Sequence, residues 1–327
     1  MDKLDRSGFA RAGTILGLAL AIGALLFVTL LPGTVGAPSP TKATPTMCAV
    51  GKQPGFPGYD PVNHELYVPN SLSSNITVLK GTCTKVATIK LPAGSFPFQA
   101  AFDPQNNHMY VTDNLLNQVY DISGTKIVKT ITGFYSPWGI TYDPGDSVMA
   151  VGNLNTNTVS FIQGTVIIDT VSTGTGPGFI GYDPYWGNLI VTNYLSDNVT
   201  IIDAVHLSHV GDVAVGCEPE GVAFDVADDM DYVANSCSNN VSVMAGNGVV
   251  FGSISGFNKP QGVAWDQANL EIYVTNFGSE KVFALSGSAI VATNLTAAHA
   301  RTFGLAYDEA NDDIYVGNAN GNGVYLI

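Results

Sequence analysis

The sequence predicts an all-β fold, a seven-bladed β-propeller, and three observations predict it. An aspartate recurs at Asp60, Asp103, Asp143, Asp183, Asp225, Asp266 and Asp308, at spacings of 43, 40, 40, 42, 41 and 42 residues. An aromatic precedes each one (Tyr59, Phe102, Tyr142, Tyr182, Phe224, Trp265, Tyr307), and Asn70, Asp113, Asn153, Asn193, Asn235, Asn276 and Asn318 follow ten positions later. Ile76, Val119, Val159, Val199, Val241, Val282 and Val324 follow at sixteen, with no insertion inside any copy. A period of ~40–45 residues carrying about four short strands is the pattern of propeller blades.

Each repeated position has a physical reason, seen most plainly in Gly181 to Asp203, GYDPYWGNLIVTNYLSDNVTIID. Asp accepts hydrogen bonds from amides two residues on, and a following Pro presets φ, so Asp-Pro opens a tight turn. The Asn at the end of the second strand is expected to take left-handed backbone and to satisfy turn amides with its side chain. The first strand alternates large and small residues, as in Val222-Ala223-Phe224 and Val263-Ala264-Trp265. That suits a sheet covered on both faces, one of them tightly packed against the next sheet.

The strings LEIYVTN at 270–276, NLIVTN at 188–193 and HMYVTD at 108–113, with NVT at 198–200 and NVS at 240–242, resemble the YVTN-repeat β-propellers. The resemblance covers about 54–327. It implies the propeller fold and a place among archaeal and bacterial surface-layer and other extracytoplasmic proteins. Such propellers are also similar to propeller lactonases and lyases, so the resemblance speaks to fold far more than to function.

Ahead of the repeats, residues 1–12 carry Lys3, Arg6 and Arg11, and Ala12 to Leu31 is apolar without a charge. Positive charge before an apolar run is the pattern of a secretory signal or a signal-anchor. The run is long enough to cross ~30 Å of hydrocarbon as a helix, and signal cores are usually shorter, about 7–15 residues. The expectation is a membrane-anchoring segment within 1–36, with cleavage after Gly36 as the alternative that would release the protein. Residues 37–45 form a Pro/Thr-rich linker, within the run APSPTKATPT from Ala37 to Thr46, extended and without a core of its own. The propeller is expected over 46–327. Its seventh copy stops at Ile327 after three strands, so Met47 to Val50 is expected to close the ring as the outermost strand of the last blade.

Four cysteines in an exported chain are expected to be oxidised, and four allow three pairings. Cys217 precedes the inner strand of blade five and Cys237 lies in the turn after that blade's second strand, two loops that share a face. Cys48 and Cys83 lie near the starts of outermost strands in neighbouring blades. The favoured pairs are Cys217–Cys237 and Cys48–Cys83; the alternative leaves Cys48 and Cys83 unpaired or joins Cys48 to another chain.

The net charge of −14 excludes a basic nucleic-acid-binding surface. The densest acidic cluster, Asp225, Asp228, Asp229 and Asp231, is a weak calcium candidate, because its spacing does not match an EF-hand loop; no other metal or cofactor is expected. A lesser cluster is Asp308, Glu309, Asp312 and Asp313. Of five histidines, His64, His108, His206 and His209 fall at turns or outer edges, and His299 alone falls near the channel loops. No HExxH, GxSxG or phosphate-binding glycine loop is present. Asn75, Asn198, Asn240 and Asn294 open N-X-Ser/Thr sequons, although turn geometry explains the first three without sugar.

The channel rim is where the copies differ. Six residues before each repeat Asp stands Pro54, Pro97, Pro137, Pro177, Pro219, Pro260 or Thr302. The flanking residues vary, and Phe96, Phe98, Trp138, Glu218, Glu220, Lys259, Arg301 and Phe303 make an aromatic sector facing a charged one. A binding surface varies where its scaffold repeats. The expected function is therefore a membrane-tethered, non-catalytic surface protein contacting a cell-envelope protein or glycan, in no defined oligomeric state. The alternative is a lactonase- or lyase-type propeller enzyme with its site at the channel mouth, for which no convergent catalytic cluster is visible.

Overall fold

A computed structural model of the chain describes residues 45–295 and 301–327. The expected membrane segment Ala12 to Leu31, the linker before Pro45, His299 and the side chain of Asn294 lie outside the described residues. Among the described residues no helix is long and apolar enough to cross a membrane.

Seven four-stranded antiparallel sheets stand around a central axis, six of them built from consecutive strands. Blade four is typical: Pro177–Asp183 is innermost, followed outward by Asn188–Asn193, Asn198–Asp203 and Ser208–Ala214. The seventh blade closes the ring. Thr302–Asp308, Asp313–Asn318 and Gly323–Leu326 take Thr46–Ala49 as their outer strand, with Thr46 opposite Leu326 and Ala49 opposite Gly323. This is the closure that the truncated last repeat implied. The closing strand runs from the far face, at Thr46, toward the face where inner strands begin, called the mouth below.

The repeat Asp does what its chemistry predicts. In blade four its Oδ1 accepts from the amides of Tyr185 (2.8 Å) and Trp186 (3.0 Å), and Asp60, Asp103, Asp143, Asp225, Asp266 and Asp308 accept from the equivalent turns. The residue ending each second strand satisfies loop amides as expected, Asp113, Asn153, Asn235, Asn276 and Asn318 each accepting from a backbone N–H through Oδ1, but it does not take left-handed backbone. Asn193 is buried, and its Nδ2 donates to Asn198 Oδ1 and Thr200 Oγ1, both at 2.9 Å, bracing the second strand to the third. Asn235 repeats this with Asn240 and Ser242. Left-handed backbone occurs four residues further on, at Ser74, Asn117, Asn157, Asp197 and Asn239, with φ between 46° and 56°. The turn needs its strained residue at the bend, which frees the preceding Asn to cross-link the strands.

Cores lie between blades, where each sheet's apolar face meets the next: Val148, Phe161 and Val159 of blade three pack on Leu189, Val191 and Ile180 of blade four. Tyrosine hydroxyls tie neighbours together. Tyr67 donates to Gly124 O, Tyr110 to Gly164 O, and Tyr315 to Gly81 O across the closure, each at 2.8 Å. Both favoured disulfides are formed, Cys48–Cys83 and Cys217–Cys237. The first fastens the closing strand to blade one.

One core position breaks the pattern. Six residues after the repeat Asp stand Leu66, Met109, Met149, Leu189, Ile272 and Ile314, but blade five has Asp231. Asp231 is fully buried and lies against the Asp183 carboxyl of blade four. Neither of its oxygens nor Asp183 Oδ2 has a hydrogen-bond partner among the described residues. Burial, with Asp183 beside it, holds the Asp231 carboxyl well above the usual carboxylate range, which keeps it protonated where a surface carboxyl would ionise.

Candidate binding site at the channel mouth

The two residues after each mouth Pro decide what occupies the axis. Where the first is large, the second is Gly: Trp138-Gly139, Glu220-Gly221, Gln261-Gly262 and Phe303-Gly304. Where the first is Gly, the second is Phe: Gly55-Phe56 and Gly178-Phe179. Phe98-Gln99 is the exception. The glycines are required by close approach of the next blade, since a Cβ at Gly139 would lie 2.2 Å from Gly178 O and one at Gly221 2.3 Å from Gln261 O. Six of the seven blades thus place one large residue at these two positions, and blade two places two.

The channel is plugged. Phe56, Phe98 and Phe179 are buried, with Phe303, Trp138 and Phe96 packed on them. Phe56 meets Phe179 at 4.3 Å and Phe303 at 4.8 Å between ring centroids, and Phe98 meets Trp138 at 3.9 Å. The channel is therefore closed beneath a pocket open at the mouth.

That pocket has a volume of about 480 Å³, within the range of ligand sites, roughly 300–1,000 Å³. Trp138, Phe277 and Phe303 supply aromatic walls, while Gln53, Tyr194, Glu220, Gln261 and Arg301 supply polar groups. The Arg301 guanidinium lies over the Phe277 ring, 5.1 Å from its centroid. Gln261 Nε2 donates to Glu220 Oε1 at a long 3.4 Å, and Gln261 Oε1, buried, has no partner among the described residues. Glu220 shows partial exposure, yet its carboxyl lies among protein atoms. Burial pushes its pKa up to about 8, opposed by the Gln261 contact and reinforced by the charge of Glu218. Burial likewise raises the Tyr194 hydroxyl, helped by Glu218 and Glu220.

The eight rim residues singled out from sequence do not share one place. Trp138, Glu220, Arg301 and Phe303 line the pocket. Phe98, with 3% of its surface exposed, belongs to the plug, and Phe96 packs against it. Glu218 is absent from the pocket lining and acts on it by raising the Tyr194 hydroxyl. Lys259 lines an adjoining groove of about 500 Å³ that shares Phe277 and Arg301 with the pocket. Sequence reasoning missed Phe56, Phe179, Gln261 and Phe277; the glycine–large alternation after the Pro was the signal for the first three.

Elsewhere, the acidic cluster does not converge. Asp225 serves its turn, Asp231 turns into the core, and Asp228 and Asp229 line an outer groove with Tyr185 and Trp186. Among the described residues no group of three or more His, Cys, Asp or Glu is placed to hold a metal ion. The amide oxygens of Asn75, Asn198 and Asn240 accept from Asn70, Asn193 and Asn235, so these sequon residues have a structural task.

No protein-family model matches the chain, and no curated protein sequence does. Solved structures do. Virginiamycin B lyase from Staphylococcus aureus superposes with a TM-score of 0.76 at 15% identity, over 86% of this chain and 98% of that one. Hydrazine synthase from Kuenenia stuttgartiensis gives 0.73 at 16%, over 89% and 99%. The WD40 propeller domain of Doa1 gives 0.72 at 10%, over 86% and 94%. The likeness is one of fold. Two enzymes and a WD40 domain share it, so the seven-bladed ring says nothing by itself about chemistry, and the site must be argued from its own side chains.

Proposed function

We propose that the chain is an extracytoplasmic propeller of the YVTN-repeat kind that holds sugar units of a cell-envelope glycan in its mouth pocket without turning them over. One observation carries the reading. Gln261 Oε1 is a buried acceptor with no donor among the described residues, beside a Glu220 carboxyl whose pKa burial pushes up to about 8, so that it donates when protonated. A sugar hydroxyl, which both donates and accepts, satisfies the two together, and the aromatic walls of Trp138 and Phe303 suit the apolar face of the ring.

Two disulfides fit an oxidising, extracytoplasmic setting. Tethering through Ala12 to Leu31 completes the reading.

The test is retention of the purified propeller on envelope material, before and after protease treatment of that material. Retention that survives protease and falls in Trp138→Ala, measured where that variant is still fully folded, supports a glycan partner. Retention abolished by protease assigns the surface to a protein partner instead, and undiminished retention in Trp138→Ala overturns the pocket as the contact.

A second reading has one observation in its favour. A carboxyl with its pKa near 8 is also what a general acid at neutral pH requires. Turnover of a lactone or glycoside panel that disappears in Glu220→Gln would establish a propeller enzyme.

A further inference from the structure

The pocket's polar groups are unequal, and the inequality points to a ligand class. Its lining carries one permanently charged side chain, Arg301, and one carboxyl, Glu220. The guanidinium lies over the Phe277 ring, and its planar fork of N–H donors suits the paired hydrogen bonds that a carboxylate accepts. In a chain of net charge −14, a cation beside aromatic walls in a pocket is a selective feature, because the overall field of the chain disfavours anions.

Resting on the sugar-binding reading above, we infer that the mouth pocket selects a carboxylated sugar of the uronic acid class, with its carboxylate on Arg301 and a ring hydroxyl between Glu220 and Gln261. Glu220 must then be uncharged when the ligand binds. Burial of its carboxyl has that effect up to a pKa of about 8. The other titratable groups around it are Glu218, in the loop that leads into the same inner strand, Tyr194 from blade four and Arg301 from blade seven. Once Glu220 ionises, it stops donating to the hydroxyl and adds a negative charge beside an anionic ligand. Binding therefore weakens as pH rises through that value.

The experiment is calorimetric titration of the propeller with cellobiuronic acid, its neutral counterpart cellobiose, and free glucuronate, at about pH 6 and about pH 9.5. The acidic disaccharide is expected to bind at least about tenfold more tightly than the neutral one at the lower pH, since charge-assisted pairs are roughly twice as strong as neutral ones. Arg301→Gln should erase that preference. The wild type should lose about tenfold at the higher pH, and Glu220→Gln should not. Glucuronate binding as tight as that of the disaccharide supports the class and makes the free monosaccharide the ligand; weaker binding supports it with a glycan chain as the source. Equal affinity for acidic and neutral disaccharides overturns the acidic class but leaves sugar binding standing. A preference that persists in Arg301→Gln overturns the assignment to Arg301. Failure of all three sugars to bind, with protease-resistant envelope retention intact, overturns the uronic class alone.

Discussion

Phe56 and Phe179, from blades one and four, meet across the axis with ring centroids 4.3 Å apart. Each follows a glycine, and each fills the lower channel that the other blades leave to Gly or Gln. Phe179→Ala removes a buried ring on which Phe56 and Phe98 pack. The expected cost is about 3–5 kcal/mol, the usual range for a buried Phe cut back to Ala, read from denaturant unfolding. A loss below about 1 kcal/mol would mean that the plug fills space without bracing the ring.

The two disulfides should differ in worth. Cys48 and Cys83 are 35 residues apart and Cys217 and Cys237 are 20 apart. Loop entropy alone assigns them about 4 and about 3 kcal/mol, and the first also holds the closing strand. Paired Cys→Ala variants, compared by guanidinium unfolding, should rank in that order. The reverse order would show that ring closure does not depend on the Cys48–Cys83 link.

Asp231 makes stability depend on pH in a defined direction. Its carboxyl is held well above the unfolded value by burial and by Asp183, so the folded state keeps a proton that the unfolded state releases. The contribution is fully present below the unfolded carboxylate pKa, about 3.9. It is lost as pH rises through the raised folded value. Asp143, pushed up to about 6 by burial, acts in the same direction. The melting temperature of the wild type should fall from acid toward neutral pH. Asp231→Asn, which has no proton to release on unfolding, should flatten that fall and raise the melting temperature near neutrality. A wild-type melting temperature that rises with pH would contradict the reading.

The fold was legible because seven copies repeat the same turn chemistry at the same offsets, down to the strand that Thr46–Ala49 lends to blade seven. The disulfides were legible for the same reason: once blade register is known, Cys217 and Cys237 fall in adjoining loops. The site was only half legible. Trp138 and Glu220 stand one residue after their Pro and project to the axis, but Phe98 occupies the same register and is buried. Burial there depends on which neighbours are glycine, a property of pairs of blades rather than of one repeat. Phe277 follows the Asn of a second strand and reaches the pocket from outside the inner strands, where inspection of the Pro-flanking positions could not find it. Asp231 was counted within a surface acidic cluster. Its register among Leu, Met and Ile positions of the other blades already marked it as a core residue.

The central claim is that the mouth pocket binds sugar, and Trp138 on its wall is an internal reporter. Of three tryptophans, Trp138 lines the pocket, whereas Trp186 borders the outer groove and Trp265 packs between blades. The direct measurement is tryptophan emission during titration with protein-free envelope glycan. The predicted result is a saturating change that disappears in Trp138→Phe and survives in Trp186→Phe. A change that survives in Trp138→Phe and disappears in Trp186→Phe would place binding at the outer groove and contradict the account.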